Sequence, residues 1–136
     1  MTTKVLTIGV FDLFHEGHLN LLRNARLLGD FLIVGMSTSE GTFLAKGRYP
    51  IMSLEQRMRT VSATGLVDQV LAFDQREREG SFIELIHPDI ICRGDDNKDF
   101  PGADVARRLG IKIVFFPYTK GVSTTELREE IWEAVK

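Results

Sequence analysis

Two histidines near the start of the chain are the residues whose type and spacing most directly suggest chemistry. His15 and His18 stand three residues apart with Gly17 between them, after the apolar residues 5–10 and before a helix-like run at 19–28. A strand that turns into a helix presents backbone N–H groups and the positive end of the helix dipole, which together bind phosphate. Imidazole N–H groups would add donors, so this segment predicts a phosphate site.

Composition limits the classes of protein and partner. The chain has 136 residues, of which 43% are hydrophobic and 26% charged, so we expect one domain, residues 1–136, with a real core. The net charge of −2 disfavours nucleic acid as a partner. No apolar run approaches the ~20 residues that span a bilayer, and residues 1–4 lack the apolar region of a signal peptide. We therefore expect a cytoplasmic protein that binds neither membrane nor nucleic acid.

Apolar, β-branched segments alternate with amphipathic ones. Strands are predicted at residues 4–10, 31–36, 69–73, 90–93 and 112–116, and helices at 18–28, 53–64, 81–87, 102–109 and 123–135. Three of the helices begin with a capping-box pattern, at Ser53, Ser81 and Ser123. The alternation predicts a Rossmann-like, doubly wound α/β domain, a parallel sheet of about five strands with helices on both faces.

The polar segments of the chain follow predicted strands. Residues 9–18 follow the first strand, 94–96 the fourth and 118–125 the fifth. Ligands of doubly wound sheets bind beyond the carboxyl ends of the strands, where the strand order reverses. We therefore expect these three segments to meet in one site.

The same segments resemble the signatures of the HxGH nucleotidylyltransferase superfamily. The pattern GxFDxxHxGH at residues 9–18 is similar to the cytidylyltransferase branch, and GVSTT at residues 121–125 resembles the second signature of that branch. The chain is most similar overall to the small glycerol-3-phosphate cytidylyltransferases. The resemblance covers nearly the whole chain.

This resemblance implies a reaction and its participants. A phosphate oxygen of a small phosphorylated alcohol, glycerol 3-phosphate in particular, would attack the α-phosphorus of CTP and release pyrophosphate. The attacking group is already an anion, so catalysis would come from positioning and charge neutralisation. The resemblance also implies Mg²⁺ with the nucleotide and a homodimer.

Site residues follow from the motifs that match. His15, His18 and Lys46 are the catalytic candidates, and Lys46 and Arg57 are expected to bind the acceptor. Asp12 is expected to hold its loop through hydrogen bonds. Nucleotide contacts are expected from Gly9, Val10, Phe11, His15, Gly17, His18, Arg48, Asp95, Lys120, Gly121, Val122, Ser123, Thr124 and Thr125.

Plainer structural interpretations stand beside these roles. His18 could cap its helix and His15 could be a loop residue. Arg57 could pair with a carboxylate. Ser123 could form only the capping box with Glu126.

Two alternative functions stay open. Tyr118 stands where cytidylyltransferases carry an arginine, which leaves room for a weakly active nucleotide-binding module. Residues 46–57, 67–74 and 102–104 look similar to the adenylyltransferase domain of ADP-heptose synthases. The second alternative is therefore an adenylyltransferase that acts on a sugar phosphate or a flavin.

Overall fold

The computed structural model describes residues 2–74, 78–94, 99–117 and 123–135. Its strands are β1 (Lys4–Gly9), β2 (Phe31–Ser37), β3 (Gln69–Phe73), β4 (Ile90–Arg93) and β5 (Lys112–Phe115). Its helices are α1 (Glu16–Arg26), α2 (Ser39–Lys46), α3 (Leu54–Ala63), α4 (Glu79–Ile86), α5 (Ala103–Arg108) and α6 (Thr124–Val135). None of the helices in these ranges is long and apolar enough to cross a membrane.

The strands form one parallel sheet in the order β3-β2-β1-β4-β5. β1 pairs with β2 on one side and with β4 on the other. The strand order therefore reverses between β1 and β4, which is where a doubly wound sheet opens a crevice for ligands. The predicted Rossmann-like fold with five strands and helices on both faces is confirmed.

Alternating side chains of the central strands place a core on each face. Leu6 and Ile33 pack on one face with residues of α4 and α5, such as Ile83 and Ala106. Residues of the same strands that point the other way pack against α1 and α3. These two layers fix the starts of α1 and α4 relative to the ends of the strands.

The helix starts differ in part from the sequence prediction. The Ser53 capping box forms as expected, because Ser53 accepts from the Gln56 N–H and the Gln56 side chain accepts from the Ser53 N–H. The predicted Ser81 box is wrong. α4 begins two residues earlier, at Glu79, and its first turns bury Glu79 and Ile83.

Candidate active site

The loop after β1 is strained and firmly held. Phe11 and Leu13 adopt positive φ angles of 55° and 48°, a conformation that bulky residues rarely take. Phe11 is buried, and the Asp12 carboxylate accepts hydrogen bonds from the N–H groups of Ile51 and Met52, at 2.8 and 2.9 Å. These contacts offset the strain. Asp12 has the structural role that the sequence predicted.

The two histidines cap α1 reciprocally. His15 is the N-cap residue, and its Nδ1 accepts from the Gly17 N–H at 3.0 Å. The Nδ1 atom of His18 accepts from the His15 N–H at 3.2 Å. A neutral imidazole whose Nδ1 accepts carries its proton on Nε2. The cap therefore makes Nε2–H the donor that each ring can offer to a ligand.

Both imidazoles are neutral near pH 7. The rings stack with centroids 3.9 Å apart, and the His18 ring also contacts Phe11 and Phe14. Burial lowers the pKa of His15. Burial, and secondly the neighbouring His15, lower the pKa of His18 to about 4, with Asp12 acting in the opposite direction. The pair thus supplies fixed hydrogen-bond donors rather than positive charge.

Positive charge enters the site from α2 and the loop that follows it. A Cβ on Gly41 would lie 1.9 Å from the Asp74 carbonyl oxygen, so only glycine lets α2 dock this closely beside β3. Gly47, at φ 77°, ends the helix directly after Lys46. Lys46 and Arg48 are exposed beside the loop that follows β1.

The start of α6 is attached to that loop by polar contacts. The Thr124 hydroxyl donates to the Asp12 carbonyl oxygen at 2.9 Å, and Arg128 contacts the Asp12 carboxylate at 3.3 Å. Ser123 accepts from the Glu126 N–H at 3.0 Å, the bond expected for its cap. Arg48 reaches the Thr125 hydroxyl at 3.4 Å. Asp12 therefore joins three segments of the chain.

Arg57 was expected to bind the acceptor, but the structure turns its side chain into the protein interior. Its side chain is fully buried. The guanidinium donates to the carbonyl oxygens of Val10, Ser37 and Met52 and to the Ser39 hydroxyl, at 2.9–3.1 Å. Its donors are thus used to tie together the ends of β1 and β2 and the loop before α3.

Three adjoining cavities lie at the carboxyl end of the sheet. The α1 cavity, about 210 Å³, lies between the start of α1 and residues that follow β4 and β5. The central cavity, about 150 Å³, shares His18 and Thr124 with it. The α4 cavity, about 350 Å³, shares Val10, Thr42 and Lys46 with the central one. A ligand could extend across all three.

Most predicted residues within the described ranges line these cavities. The predicted residues Asp95, Lys120, Gly121 and Val122, and also Tyr118, lie outside the described residues. The α1 cavity is lined by His15, Gly17 and Ser123, and it shares His18 and Thr124 with the central cavity. The central cavity is also lined by Phe11, Arg48 and Thr125, and it shares Val10 and Lys46 with the α4 cavity. Gly9 lines the α4 cavity.

Sequence reasoning missed three charged residues of the site. Arg128 lines the central cavity, and Glu79 and Arg93 line the α4 cavity. Arg128 lies one helical turn after Thr124, and Arg93 ends a strand, so spacing and strand-end position could have indicated both. Glu79 lies just before the predicted helix at 81–87, and the sequence carried no signal that it starts α4.

Within residues 2–74, 78–94, 99–117 and 123–135, no three His, Cys, Asp or Glu side chains come together to hold a metal ion. The Asp12 carboxylate, the buried acid of the central cavity, is already hydrogen-bonded to backbone N–H groups and to Arg128. Mg²⁺ is usually held by one or two carboxylates together with substrate phosphates, so its site would be completed by the nucleotide.

The fold and the cleft define a class of protein: a Rossmann-like α/β domain with a site for a phosphorylated ligand at the switch point of its sheet. A family model described as "Cytidylyltransferase-like" matches residues 6–130. The chain belongs to this family, and the prediction of the nucleotidylyltransferase superfamily is confirmed.

Curated relatives point to a particular branch. The chain is 36% identical over 130 residues to "Bifunctional protein HldE" of Desulfatibacillum aliphaticivorans, covering 93% of this chain and 26% of that protein. It is 38% identical over 126 residues to the protein of the same name from Proteus mirabilis, covering 90% and 26%. The chain thus spans about a quarter of the length of these relatives. The predicted similarity to glycerol-3-phosphate cytidylyltransferases is not confirmed by them.

Solved structures share the fold. A lipopolysaccharide core biosynthesis protein from Thermoplasma volcanium superimposes with a TM-score of 0.71 at 27% identity, covering 90% of this chain and all of that one. A pantoate-beta-alanine ligase from Francisella tularensis gives a TM-score of 0.59 at 16% identity, covering 96% of this chain and 70% of that one. The second likeness establishes the fold alone.

Proposed function

We propose that the chain transfers a nucleotidyl group from ATP to a small sugar phosphate. One observation carries the reaction type: the two capped imidazoles and Lys46 face one continuous cleft at the start of α1. Donors fixed by the cap need no reorganisation when charge develops on a phosphate, which is where such groups accelerate a reaction most.

The cavities suggest where each substrate binds. The α1 cavity has apolar Leu21 and Phe116 beside polar Asn20, a lining suited to a base and ribose. The central cavity gathers Lys46, Arg48 and Arg128, a set that matches a triphosphate. The acceptor would approach from the α4 cavity, on the other side of Lys46.

The reaction then needs few groups from the protein. A phosphate oxygen of the acceptor forms a bond to the α-phosphorus, and the bond from that phosphorus to the bridging oxygen breaks, so that pyrophosphate leaves with the electron pair. His15 and His18 donate Nε2–H hydrogen bonds to the phosphates. Lys46 neutralises charge and can follow the moving group on its flexible stem. Backbone at Val10, beside the same cavities, positions the reacting phosphate.

Mg²⁺ would arrive with the nucleotide. The described residues supply no three-member cluster of metal ligands, so phosphate oxygens and water would be the main ligands of the ion, with at most one or two carboxylates beside them. This proposal is tested by titrating Mg²⁺ at fixed ATP. Turnover should follow the concentration of the Mg²⁺–ATP complex, and full turnover in excess chelator would contradict it.

Support for ATP and a sugar phosphate comes from the relatives. The HldE relatives belong with the ADP-heptose synthases, which were the alternative that the sequence offered. Residues 46–57, 67–74 and 102–104 of this chain resemble the adenylyltransferase domain of those enzymes. The Thermoplasma volcanium structure is named for the biosynthesis of a lipopolysaccharide, whose building blocks include sugars. CTP with glycerol 3-phosphate is the second candidate, favoured by the GxFDxxHxGH and GVSTT patterns.

The test is a matrix of four nucleoside triphosphates against aldose 1-phosphates, glycerol 3-phosphate and flavin mononucleotide, with Mg²⁺ and pyrophosphate release as the readout. The proposal expects the fastest release with ATP and an aldose phosphate. Fastest release with CTP and glycerol 3-phosphate would establish the second candidate instead. Nucleotide binding without release in any combination would favour a weakly active binding module.

The homodimer remains a prediction with a physical motive. Ile131, Trp132 and Val135 of α6 are 47%, 62% and 70% exposed in the single chain, so they are not core residues. A second copy could cover them. Sedimentation analysis at micromolar concentration should give twice the mass of the chain, and a monomer at all concentrations would contradict the prediction.

A further inference from the structure

The loop that follows α2 is anchored at both ends. Residues 47–50 carry Arg48 past the central cavity. At one end the Gly47 N–H donates to the Phe43 carbonyl oxygen at 2.7 Å, which closes the helix. At the other end the chain is held by its two hydrogen bonds to Asp12. Arg48 lies between these anchors, so its position depends on what holds the middle of the loop.

Tyr49 holds the middle of the loop against α2. Its ring stacks on the Phe43 ring, with centroids 4.6 Å and planes 20° apart. Its hydroxyl donates to the Glu40 carboxylate at 3.3 Å, about one turn earlier on the same face of the helix. The negative charge of Glu40 raises the pKa of Tyr49, so the hydroxyl keeps its proton and remains a donor.

The aromatic pair, Phe43 and Tyr49, is not part of the hydrophobic core. The two side chains are 40% and 49% exposed, and neither belongs to the core clusters on the two faces of the sheet. An offset stack of two rings still favours one arrangement of the segments that carry them. The pair therefore fixes the loop rather than the fold.

Arg48 extends from this loop toward α6. It precedes Tyr49 in the chain and reaches the Thr125 hydroxyl at 3.4 Å, and it lines the central cavity with Lys46 and Arg128. A long arginine side chain loses much conformational freedom when a ligand immobilises it. A loop that already holds the backbone in place lowers the cost of that step.

We propose that the aromatic pair positions Arg48 over the outer phosphates of a nucleoside triphosphate, so that Tyr49 is a positioning residue for triphosphate binding. The inference rests on the proposed nucleotidyl transfer for the identity of the ligand. It adds that preference for a triphosphate over a monophosphate depends on Phe43, which lines none of the three cavities of the cleft.

The test compares Tyr49→Ala and Phe43→Ala with Leu44→Ala. Leu44 neighbours Phe43 on α2 and is 61% exposed, so it is a matched control. Calorimetry measures the binding of an α,β-methylene ATP analogue and of AMP. Both aromatic variants should bind the analogue about 3- to 10-fold more weakly, as for loss of an aromatic pair. Their affinity for AMP, and both affinities of Leu44→Ala, should not change. Tyr49→Phe keeps the ring and should restore most of the affinity.

A double-mutant cycle shows whether Tyr49 acts through Arg48. In an Arg48→Ala background, Tyr49→Ala should weaken binding of the analogue no further. An equal loss in both backgrounds would place Tyr49 itself on the ligand and overturn the inference. Wild-type affinity in Phe43→Ala, or equal weakening of AMP and the analogue, would overturn it too. If Tyr49→Ala does not fold, as judged by circular dichroism, the same cycle with Phe43→Ala decides.

Turnover separates this inference from the proposed function. Pyrophosphate release together with unchanged analogue affinity in the aromatic variants leaves nucleotidyl transfer standing and removes the role of the aromatic pair. Analogue binding that depends on the pair, without pyrophosphate release from any nucleotide, does the reverse.

Discussion

Two helices begin in the same cleft, and they are held there by different means. α1 starts with the reciprocal histidine cap and buries Leu22 and Ala25 in the core. α6 starts with Ser123 and Thr124 beside the same cavity, but buries no residue. One helix start is positioned by packing, the other by polar contacts.

The start of α1 is therefore the rigid part of the site, and the start of α6 is the part that can move. A helix that is packed on the core holds its first turn in one position, because moving the helix would expose apolar surface. α6 depends on Asp12, which contacts it through both its carbonyl oxygen and its carboxylate. We therefore expect variants at α1 to affect chemistry most, and variants at α6 to affect order and binding.

Replacing His18 should have the largest effect. His18→Asn removes the Nε2–H donor that is proposed to meet the transferring phosphate, and kcat should fall about 100- to 1,000-fold. His87→Asn is the control, because His87 ends α4 in the left-handed conformation that asparagine tolerates. Steady-state pyrophosphate release measures both. A His18→Asn enzyme within threefold of wild type would remove His18 from the catalytic machinery.

Acid should destabilise the protein through the same residue. His18 has a pKa of about 4 in the folded state and 6.5 as its ordinary value. Between these values the unfolded chain binds a proton that the folded chain does not, so stability is full above pH 6.5 and falls as pH drops toward 4. The loss is about 3 kcal/mol.

Urea denaturation from pH 7 to 4 measures this loss, with His18→Gln as the reference. The variant's free energy of unfolding should depend less on pH than that of wild type over the same interval. Parallel pH profiles for the two proteins would contradict the assignment.

Asp12→Asn should release α6 while leaving α1 in place. The amide replaces one carboxylate oxygen with a donor that faces backbone N–H groups, at a cost of about 1–3 kcal/mol of stability. Trp132, the one tryptophan of the chain, lies on α6, so its fluorescence reports on that helix. We expect a shifted emission maximum and a raised KM for the nucleotide.

The control is Asp89→Asn, in which the replaced carboxylate accepts the Lys4 N–H far from α6. It should lower stability without shifting the emission maximum. An unshifted maximum in Asp12→Asn would mean that other contacts position the helix.

The smallest effect is expected at the caps. Ser123→Ala and Ser53→Ala each remove one helix cap, worth about 1 kcal/mol. Differential scanning calorimetry should give similar decreases in Tm. Only Ser123→Ala should also raise the nucleotide KM, by a few-fold. Ser123 lines the α1 cavity, whereas Ser53 lines none of the three cavities described above. Equal KM values would make Ser123 a cap and nothing more.

Local patterns predicted much of this protein. The period of the apolar residues gave the strands β3 and β4 with their observed bounds, and the alternation of elements gave the doubly wound sheet. His15 and His18 could be found because strand, turn and helix are all local and adjacent in the chain. The switch-point rule then placed the site at the end of β1.

Residues whose role depends on distant neighbours could not be assigned this way. A buried arginine and a surface arginine look alike in sequence. The burial of the Arg57 side chain depends on the carbonyl oxygens at the ends of β1 and β2, which only the folded sheet brings together. Glu79 lay outside every predicted element, and only the packing of α4 on the sheet buried it.

The sequence by itself determined the fold, the family and the histidine pair, since these follow from short-range periodicity and motif. Only the tertiary structure decided which charged side chains line the cavities. That choice depends on which strand ends adjoin and how closely α2 and α4 pack against them, and burial at those contacts results from the whole chain.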